Sequence, residues 1–278
     1  MLFNSKIFVT FIVVTLGIYY WLPDRWKIYF LLLMSYVFYG FWDPWLCSLI
    51  ALSTVVDFWC GKNIAANRTN RRTQKHWLWV SLATNLGILG FFKYYDFFVS
   101  EFVLAANWAG WGLNPDDYLL NLLLPVGISF YTFQTMAYSI DIYRGDIEKP
   151  ETNFSRFALY VAFFPQLVAG PIVRAKDFLP QLREKIDKFE TGTKIRQIII
   201  NESNLKFGIT LMAFGFLKKM FFADNIGLLA NEVFAYPIGL DSFSIMMGTL
   251  AFGIQIYGDF SGYTDIAIGA ALILGFKI

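Results

Sequence analysis

The sequence is poor in charge and in the residues that build metal sites. Charged residues make up 16% of its 278 residues, whereas soluble globular domains carry about 25%. It has one histidine and two cysteines, Cys47 and Cys60, which lie far apart in apolar surroundings and form no C-x-x-C pair. An ordinary soluble domain and a zinc site are therefore excluded. The two cysteines are interpreted as small buried apolar residues.

The abundant residues are those of a membrane protein. Hydrophobic residues make up 56% and aromatic residues 19% of the chain, and the mean hydropathy is +0.49. This composition predicts an all-α, polytopic integral membrane protein. The apolar stretch at the N-terminus, 3–22, is interpreted as a retained anchor, because no small-x-small cleavage site follows it.

Apolar stretches of about 20 residues predict the membrane-spanning helices. Proline and glycine interrupt two of these stretches, at Pro125 and Gly127 and again at Pro165, Gly170 and Pro171. Polar segments are predicted as loops at 62–76, 101–117 and 176–204. The predicted helices are 3–22, 26–41, 45–59, 77–99, 118–143, 154–173, 205–222, 226–237, 242–257 and a last one that reaches residue 276.

Lysine and arginine are distributed unevenly between the predicted loops. Residues 62–76 hold five of them and residues 174–196 hold seven, whereas 99–118 hold none and carry three acidic residues. Because short basic loops stay on the cytoplasmic side, we predict a multi-pass membrane protein with an external N-terminus. The basic loops are interpreted as topology markers, so the expected partner is the lipid bilayer and not nucleic acid.

Three segments, 122–145, 163–174 and 255–265, combine helix-breaking or glycine residues with polar side chains. Irregular backbone at membrane depth persists only where it is buried in protein or lines a wet cavity. We therefore predict broken or re-entrant helices around a tunnel. Arg144 and Arg174 are the expected cations for its carboxylates, and an interhelical polar clamp is the alternative interpretation. The predicted lining residues are Gln134, Gln166, Pro171, Arg174, Gln255, Tyr257, Asp259, Ser261 and Asp265.

Several motifs together resemble a known family. They are PVGISFYTFQ at 125–134, YSIDIYRG at 138–145, FFPQLVAGPIVR at 163–174, KK-x3-ADN at 218–225 and QIYGDFSGYTDIAIG at 255–269. This combination resembles the membrane-bound O-acyltransferase family over the whole chain. The resemblance is strongest to its bacterial alginate O-acetyltransferase-like branch, which is related to the D-alanyl transfer proteins of teichoic acid modification.

The resemblance implies a multi-helix bundle around a tunnel and an O-acyltransferase activity. Such an enzyme takes an acyl group, here expected to be acetyl, from a cytoplasmic thioester donor, either acetyl-CoA or an acyl-carrier protein. It passes the group across the membrane towards a hydroxyl of an extracytoplasmic polysaccharide, as in alginate or another exopolysaccharide. A periplasmic acetyltransferase partner is expected, and no bound cofactor or metal is expected.

The family's catalytic histidine lies in a Trp-His segment that follows the position of the DFSGYTD motif. This sequence stops at Ile278, and its one histidine, His76, lies in a predicted basic loop. We therefore expect 1–278 to form a single transmembrane domain, the N-terminal part of a longer one, with no catalytic residue of its own. The chain alone is expected to be inactive.

A second class of function also fits the residues. Broken helices with polar groups near the bilayer midplane are typical of secondary transporters, although no internal repeat is visible in this sequence. A scaffold subunit that docks an acyl donor through the basic 174–196 segment is a third possibility. Binding of an acyl-CoA or an acyl-carrier protein would separate the transferase and the docking subunit from a transporter.

The charge asymmetry of the loops yields a testable prediction. Reporter fusions at Asn70 and Asn114 should report opposite compartments, with Asn70 cytoplasmic, because basic residues surround Asn70 and are absent around Asn114. Paired alkaline phosphatase and green fluorescent protein fusions measure this directly. Finding both positions in the same compartment would refute the topology.

Overall fold

Every regular element in the described part of the chain is helical. A computed structural model describes residues 3, 5–122, 124–167, 170–190, 202–236 and 238–278, with only the backbone described at 185–190. The longer helices are α1 (Lys6–Trp21), α2 (Asp24–Gly40), α3 (Cys47–Ala66), α4 (Arg71–Trp108), α5 (Ile128–Arg144), α6 (Phe154–Ala162), α8 (Ala175–Glu190), α9 (Glu202–Phe216), α10 (Asp224–Ala235) and α11 (Ser242–Ile273). The short α7 covers Phe164–Leu167, 3-10 turns cover Pro44–Leu46 and Pro115–Asp117, and a π segment, Leu217–Ala223, joins α9 to α10.

Capping side chains explain where several helices begin. The side chain of Ser5 accepts a hydrogen bond from the amide of Phe8 at the start of α1, and Asn70 accepts one from Thr73 at the start of α4. Asp241 does the same for Ser244 at the start of α11. The hydrogen bonds from Ser244 also hold the pKa of this exposed carboxyl below its ordinary value. Each cap satisfies one of the amides that a helix N-terminus leaves unpaired.

Two of the three predicted helix breaks are confirmed. The first lies before α5, which begins only after Gly127 and is followed by Gly145, both with positive φ angles (76° and 94°) that a side chain would disfavour. The second lies around α7, which is four residues long and follows the end of α6 at Ala162. Residues 168–169 of that segment lie outside the described residues.

The third predicted break, at 255–265, is wrong. Residues 255–265 lie inside α11, which runs without interruption for 32 residues. The segment contains no proline, and glycine alone costs a helix only about 1 kcal/mol. Gly258 and Gly262 are both buried where α11 packs against a neighbour, so close packing offsets their low helix propensity.

Two predicted loops are also shorter than expected. The helices α3 and α4 extend into the predicted 62–76 loop and leave only 67–70 between them, and α4 continues to Trp108. Its 38 residues correspond to about 57 Å, well beyond the roughly 30 Å of hydrocarbon in a bilayer. The helix α4 is therefore long enough for both of its ends to project beyond a membrane. Residues 191–201 of the third predicted loop lie outside the described residues.

Large apolar side chains are exposed along many helices. By length and composition, Pro44–Ala66 is the one candidate membrane span among the described residues, and Lys6–Trp21 is a shorter apolar helix. Exposed aromatic and aliphatic side chains also follow α2, α4 and α9 to α11, with Phe98 65% and Phe243 62% exposed. Apolar surface of this extent marks a protein or lipid contact area.

The chain divides into two compact units. Unit 1 consists of 1–42, 163–173 and 177–278, and unit 2 consists of 43–162 and 174–176. The prediction of one transmembrane domain over the whole chain stays a prediction.

Unit 2 is built from α3, α4, α5 and α6. Its apolar core includes the rings of Phe58, Tyr138 and Phe157, with 4.6 Å between the ring centroids of Tyr138 and Phe157. A fully buried carboxylate, Asp57, lies in the same unit and accepts a hydrogen bond from Asn85 Nδ2 at 2.7 Å. The hydroxyls of Ser81 and Ser139 also donate to it. These polar bonds link α3, α4 and α5.

Unit 1 combines an aromatic core with a close helix pair. The ring of Phe164 packs against Phe11 and Phe38, and Phe163, Phe178 and Phe276 form a second group. The C-terminal carbonyls of α11 are capped from α1, where the Tyr19 hydroxyl donates to the Leu274 carbonyl at 3.0 Å.

The helix α11 packs antiparallel to α9, the π segment and α10 through small residues. We call this contact the glycine seam; its members are Gly208, Gly215, Ala223 and Gly227 on one side and Gly248, Gly258, Gly262 and Gly269 on α11. A Cβ atom placed on Gly262 would lie 2.8 Å from the Gly215 carbonyl oxygen and 3.1 Å from the Lys219 amide nitrogen. Two backbones therefore meet with no room for a side chain, as in close helix pairs of membrane proteins.

The seam predicts a position-specific effect of one methyl group. Gly262→Ala should lower the free energy of unfolding by about 1–3 kcal/mol, because backbone atoms cannot yield as side chains do. Gly253→Ala on the same helix is the matched control, since nothing lies within 4 Å of its added Cβ. Thermal unfolding in detergent measures both variants. Equal melting temperatures for the two would contradict the packing described here.

Candidate functional site

Two adjacent lysines in the π segment face the polar residues of α11. We call the group that they form the charge cluster; its members are Lys218, Lys219, Asp224, Asp259 and Asp265. All five belong to unit 1. The cluster contains three carboxylates and two ammonium groups.

Lys218 forms an ion pair with one carboxylate, that of Asp265. Its Nζ lies 2.6 Å from Asp265 Oδ2 and 3.0 Å from Ser261 Oγ. Ser261 and Asp265 are four residues apart on α11, so both lie on the same face of the helix. One ammonium therefore holds two side chains of the DFSGYTD motif.

Lys219 is shared between two carboxylates. Its Nζ lies 2.5 Å from Asp224 Oδ1 and 2.6 Å from Asp259 Oδ1, and it is 5.6 Å from the centre of the Tyr263 ring. The side chain of Lys219 is 11% exposed and that of Asp259 is 29% exposed. The lysine is thus enclosed between its own helix and α11.

The π segment explains how Lys219 reaches Asp224. The two residues are five apart, and in an α-helix such side chains differ by about 140° around the axis. A π turn closes its hydrogen bond between residues i and i+5, so this spacing brings the two side chains to one face. Single π turns inside helices occur often at functional sites.

The charge cluster lies near the middle of α11. Asp259 is well inside this 32-residue helix, with apolar residues on both sides of the motif. A charged side chain at the centre of a membrane-spanning helix costs about 2.5–3.5 kcal/mol. Pairing with lysine at close distance is the usual way to reduce that cost.

The other predicted residues of unit 1 lie in two places. Gln166, on α7, is 2% exposed, and a Cβ added to nearby Gly170 would lie 3.2 Å from Ala267 Cβ of α11. Pro171 is half-buried and follows that glycine. Both α7 and Gly170 are therefore placed against the helix that carries Asp259 and Asp265.

Gln255 and Tyr257 face different directions on α11. Gln255 packs against Gly227 in the glycine seam, with its Nε2 2.8 Å from a Cβ placed on that glycine. Tyr257 is 72% exposed. By contrast, Ser261 and Asp265 both contact Lys218, and Asp259 contacts Lys219.

The remaining two predicted residues belong to unit 2. Gln134 is buried on α5 and donates from Nε2 to the Tyr160 carbonyl at 2.8 Å, while the Tyr160 hydroxyl donates back to the Gln134 carbonyl at 3.3 Å. Arg174 is exposed. A tunnel lined by all nine predicted residues stays a prediction.

The expected cations were wrong. The cations that pair with Asp265 and Asp259 of α11 are Lys218 and Lys219. Arg144 and Arg174 are both exposed and belong to unit 2. The KK-x3-ADN motif contained the signal, since two adjacent lysines inside an apolar stretch themselves need anionic partners.

The buried network around Asp57 was not predicted either. Ser53 Oγ donates to Asn85 Oδ1 at 2.6 Å, and Asn85 in turn donates to Asp57. The detectable signal is spacing, because Ser53 and Asp57 on α3, and Ser81 and Asn85 on α4, are four residues apart in apolar helices.

No group of three or more metal-ligating side chains occurs among the residues that the structure describes. A metal-free, cofactor-free enzyme stays a prediction.

Comparison with known proteins identifies the family. Residues 146–278 match the model of MBOAT, the membrane-bound O-acyltransferase family. The whole chain aligns at 39% identity with half of a Pseudomonas aeruginosa protein described as "Probable alginate O-acetylase AlgI". The matched part of the chain, residues 146–278, belongs to the membrane-bound O-acyltransferase family.

More distant relatives carry related names. A "Peptidoglycan O-acetyltransferase" of Helicobacter pylori is 32% identical over 92% of this chain and 49% of its own length. A "Teichoic acid D-alanyltransferase" of Bacillus subtilis is 27% identical over 56% of this chain and 37% of its own length. The chain spans about half the length of the alginate O-acetylases that it matches. All of the charge cluster lies within the part that matches the membrane-bound O-acyltransferase family.

Proposed function

We propose that this chain forms part of an enzyme that transfers an acetyl group from a cytoplasmic thioester across the inner membrane to a hydroxyl of an extracytoplasmic polysaccharide. The names of its relatives support the reaction, since they are O-acetylases and an O-acetyltransferase of glycan polymers. The observation that carries the proposal is the charge cluster, which joins the π segment to the middle of α11 within the family-matching part of the chain.

The chemistry requires an acyl group and a hydroxyl to meet away from lipid. The hydroxyl oxygen attacks the thioester carbonyl, the new C–O bond replaces the C–S bond, and the hydroxyl proton leaves with a base. Acetyl-CoA or an acetylated carrier protein supplies the acetyl group, and no bound cofactor takes part. A periplasmic acetyltransferase partner completes the delivery to the polymer.

The charge cluster provides this reaction with polar groups inside an otherwise apolar helix. Lys218 and Lys219 hold Asp265 and Asp259 in fixed positions where hydrocarbon would otherwise surround α11. Fixed charges stabilise developing charge without needing to reorganise during the reaction. In this proposal the charge cluster of unit 1 contributes polar groups to the acyl tunnel.

The base is not assigned to this chain. Its single histidine, His76, lies on α4 in unit 2, and the charge cluster in unit 1 contains no imidazole. Imidazole is the usual base for activating a hydroxyl near neutral pH. We therefore propose that the 278-residue chain alone is inactive.

Reconstituted protein tests this function. The chain in liposomes, supplied with radiolabelled acetyl-CoA or acetylated carrier and an alginate acceptor, should give only background transfer. The same protein extended to the full length of its relatives, with its periplasmic partner, should transfer acetyl. The extended protein without any thioester donor is the control. Turnover by the 278-residue form that survives His76→Ala would contradict the proposal, and so would an extended protein that moves a solute but no acetyl group.

A further inference from the structure

The two aspartates of the DFSGYTD motif have unequal surroundings. Asp265 has Lys218 to itself, and its side chain is 17% exposed. Asp259 shares Lys219 with Asp224. The charges of Lys218 and Asp265 are balanced, whereas the group of Asp224, Lys219 and Asp259 has one negative charge in excess.

Hydrogen bonding shows the same difference. Asp265 Oδ2 accepts a hydrogen bond from Lys218 at 2.6 Å. Asp259 Oδ1 likewise lies 2.6 Å from an ammonium, that of Lys219, but it shares this donor with Asp224. Among the described residues, no hydrogen bond or ion pair reaches Asp259 Oδ2, because the ion pair with Lys219 is made by Oδ1. A carboxylate has about four lone-pair sites, so Asp259 keeps most of its capacity to accept hydrogen bonds.

Asp259 is also accessible. Its side chain is 29% exposed in unit 1, and it lies near the middle of α11. An exposed carboxylate with an open oxygen can accept a hydrogen bond from a ligand hydroxyl, whereas hydrocarbon offers it no donor. The donor that the proposed reaction brings to this depth is the acceptor hydroxyl.

We propose that Asp259 binds the acceptor hydroxyl by accepting its hydrogen bond, whereas Asp265 and Lys218 fasten α11 to the π segment. This inference rests on the proposed acetyl transfer. Asp224 makes the arrangement possible, because it retains Lys219 when Asp259 engages a substrate. Asp224 also provides a partner for Lys219 when Asp259 is neutralised, so the function of Asp259 can be tested without leaving an unpaired lysine.

Three neutralising variants of the protein, extended to the length of its relatives, test the assignment. Asp259→Asn should lower kcat/KM for the polysaccharide acceptor at least about tenfold, as expected when a hydrogen bond to a charged acceptor is weakened. Its melting temperature and its KM for the thioester donor should stay unchanged. Asp265→Asn should lower the melting temperature, because Lys218 is left with Ser261 alone, and adding Lys218→Gln should restore it.

Asp241→Asn is the matched control on the same helix. Asp241 is exposed outside the charge cluster at the start of α11, and asparagine caps a helix about as well as aspartate. This variant should change neither melting temperature nor kcat/KM.

Three results would overturn the inference. Asp259→Asn that melts as low as Asp265→Asn would make Asp259 a structural residue. An unchanged kcat/KM for the acceptor in the Asp259→Asn variant would show that Asp259 does not bind the acceptor hydroxyl. If the extended wild-type protein transfers no acetyl group, the proposed function is refuted, and with it the ligand assigned to Asp259. The melting temperatures of the two variants would still show whether Asp265 stabilises the fold and Asp259 does not.

Discussion

The aspartates in the middle of α11 require cations within hydrogen-bonding distance. The packing of unit 1 brings the lysines of the π segment that close to α11. Lysine Nζ atoms lie 2.6 Å from both Asp259 and Asp265. They can do so because the backbones of the two helices meet directly at Gly215 and Gly262. Side chains at these two positions would separate the helices and move the ammonium groups away from the carboxylates. Packing and charge pairing are therefore parts of one arrangement.

The π segment makes a second contribution to the same contact. On the α9–α10 side the seam positions Gly215, Ala223 and Gly227, together with buried Lys219 between the first two, follow one another at intervals of four residues. In an α-helix each such step turns the face by about 40°, and three steps would rotate the last residue out of the contact. A wider turn in this region keeps all four positions against α11. The departure from α-helical geometry thus preserves both the glycine seam and the pairing of Lys219 with Asp224.

The sequence predicted elements well where a single residue determines the backbone. Pro165 and the positive φ angle of Gly127 each interrupt a helix locally, and both breaks were expected. The sequence predicted the backbone wrongly where the effect of a residue depends on packing against another helix. Gly258 and Gly262 suggested a break in isolation, whereas in the folded chain they allow close approach and α11 continues through them. The length of α4 was also underestimated, because the helix continues at both ends beyond the predicted apolar stretch of 77–99.

The candidate site shows the same division. Asp259 and Asp265 could be selected from the sequence, since carboxylates inside an apolar stretch are unusual. Their partners could not be identified from distance along the chain, because Lys218 is 47 residues away from Asp265. Arginines beside the predicted helix breaks were chosen instead. The Asp57 network is a similar case, as its donors come from three helices. Only the packing of helices determines which polar residues meet.

Disulfide trapping across the glycine seam tests the central claim most directly. A Cβ placed on Gly258 lies 3.0 Å from Ala223 Cβ, close to the roughly 3.5–4.5 Å that a disulfide requires. With Cys47 and Cys60 replaced by serine, the Ala223→Cys/Gly258→Cys protein should form an intramolecular disulfide in membranes under mild oxidation. The pair Ala223→Cys/Ile256→Cys should not, because Ile256 is exposed on α11. Failure of the first pair to cross-link, or equal cross-linking of both pairs, would contradict the account.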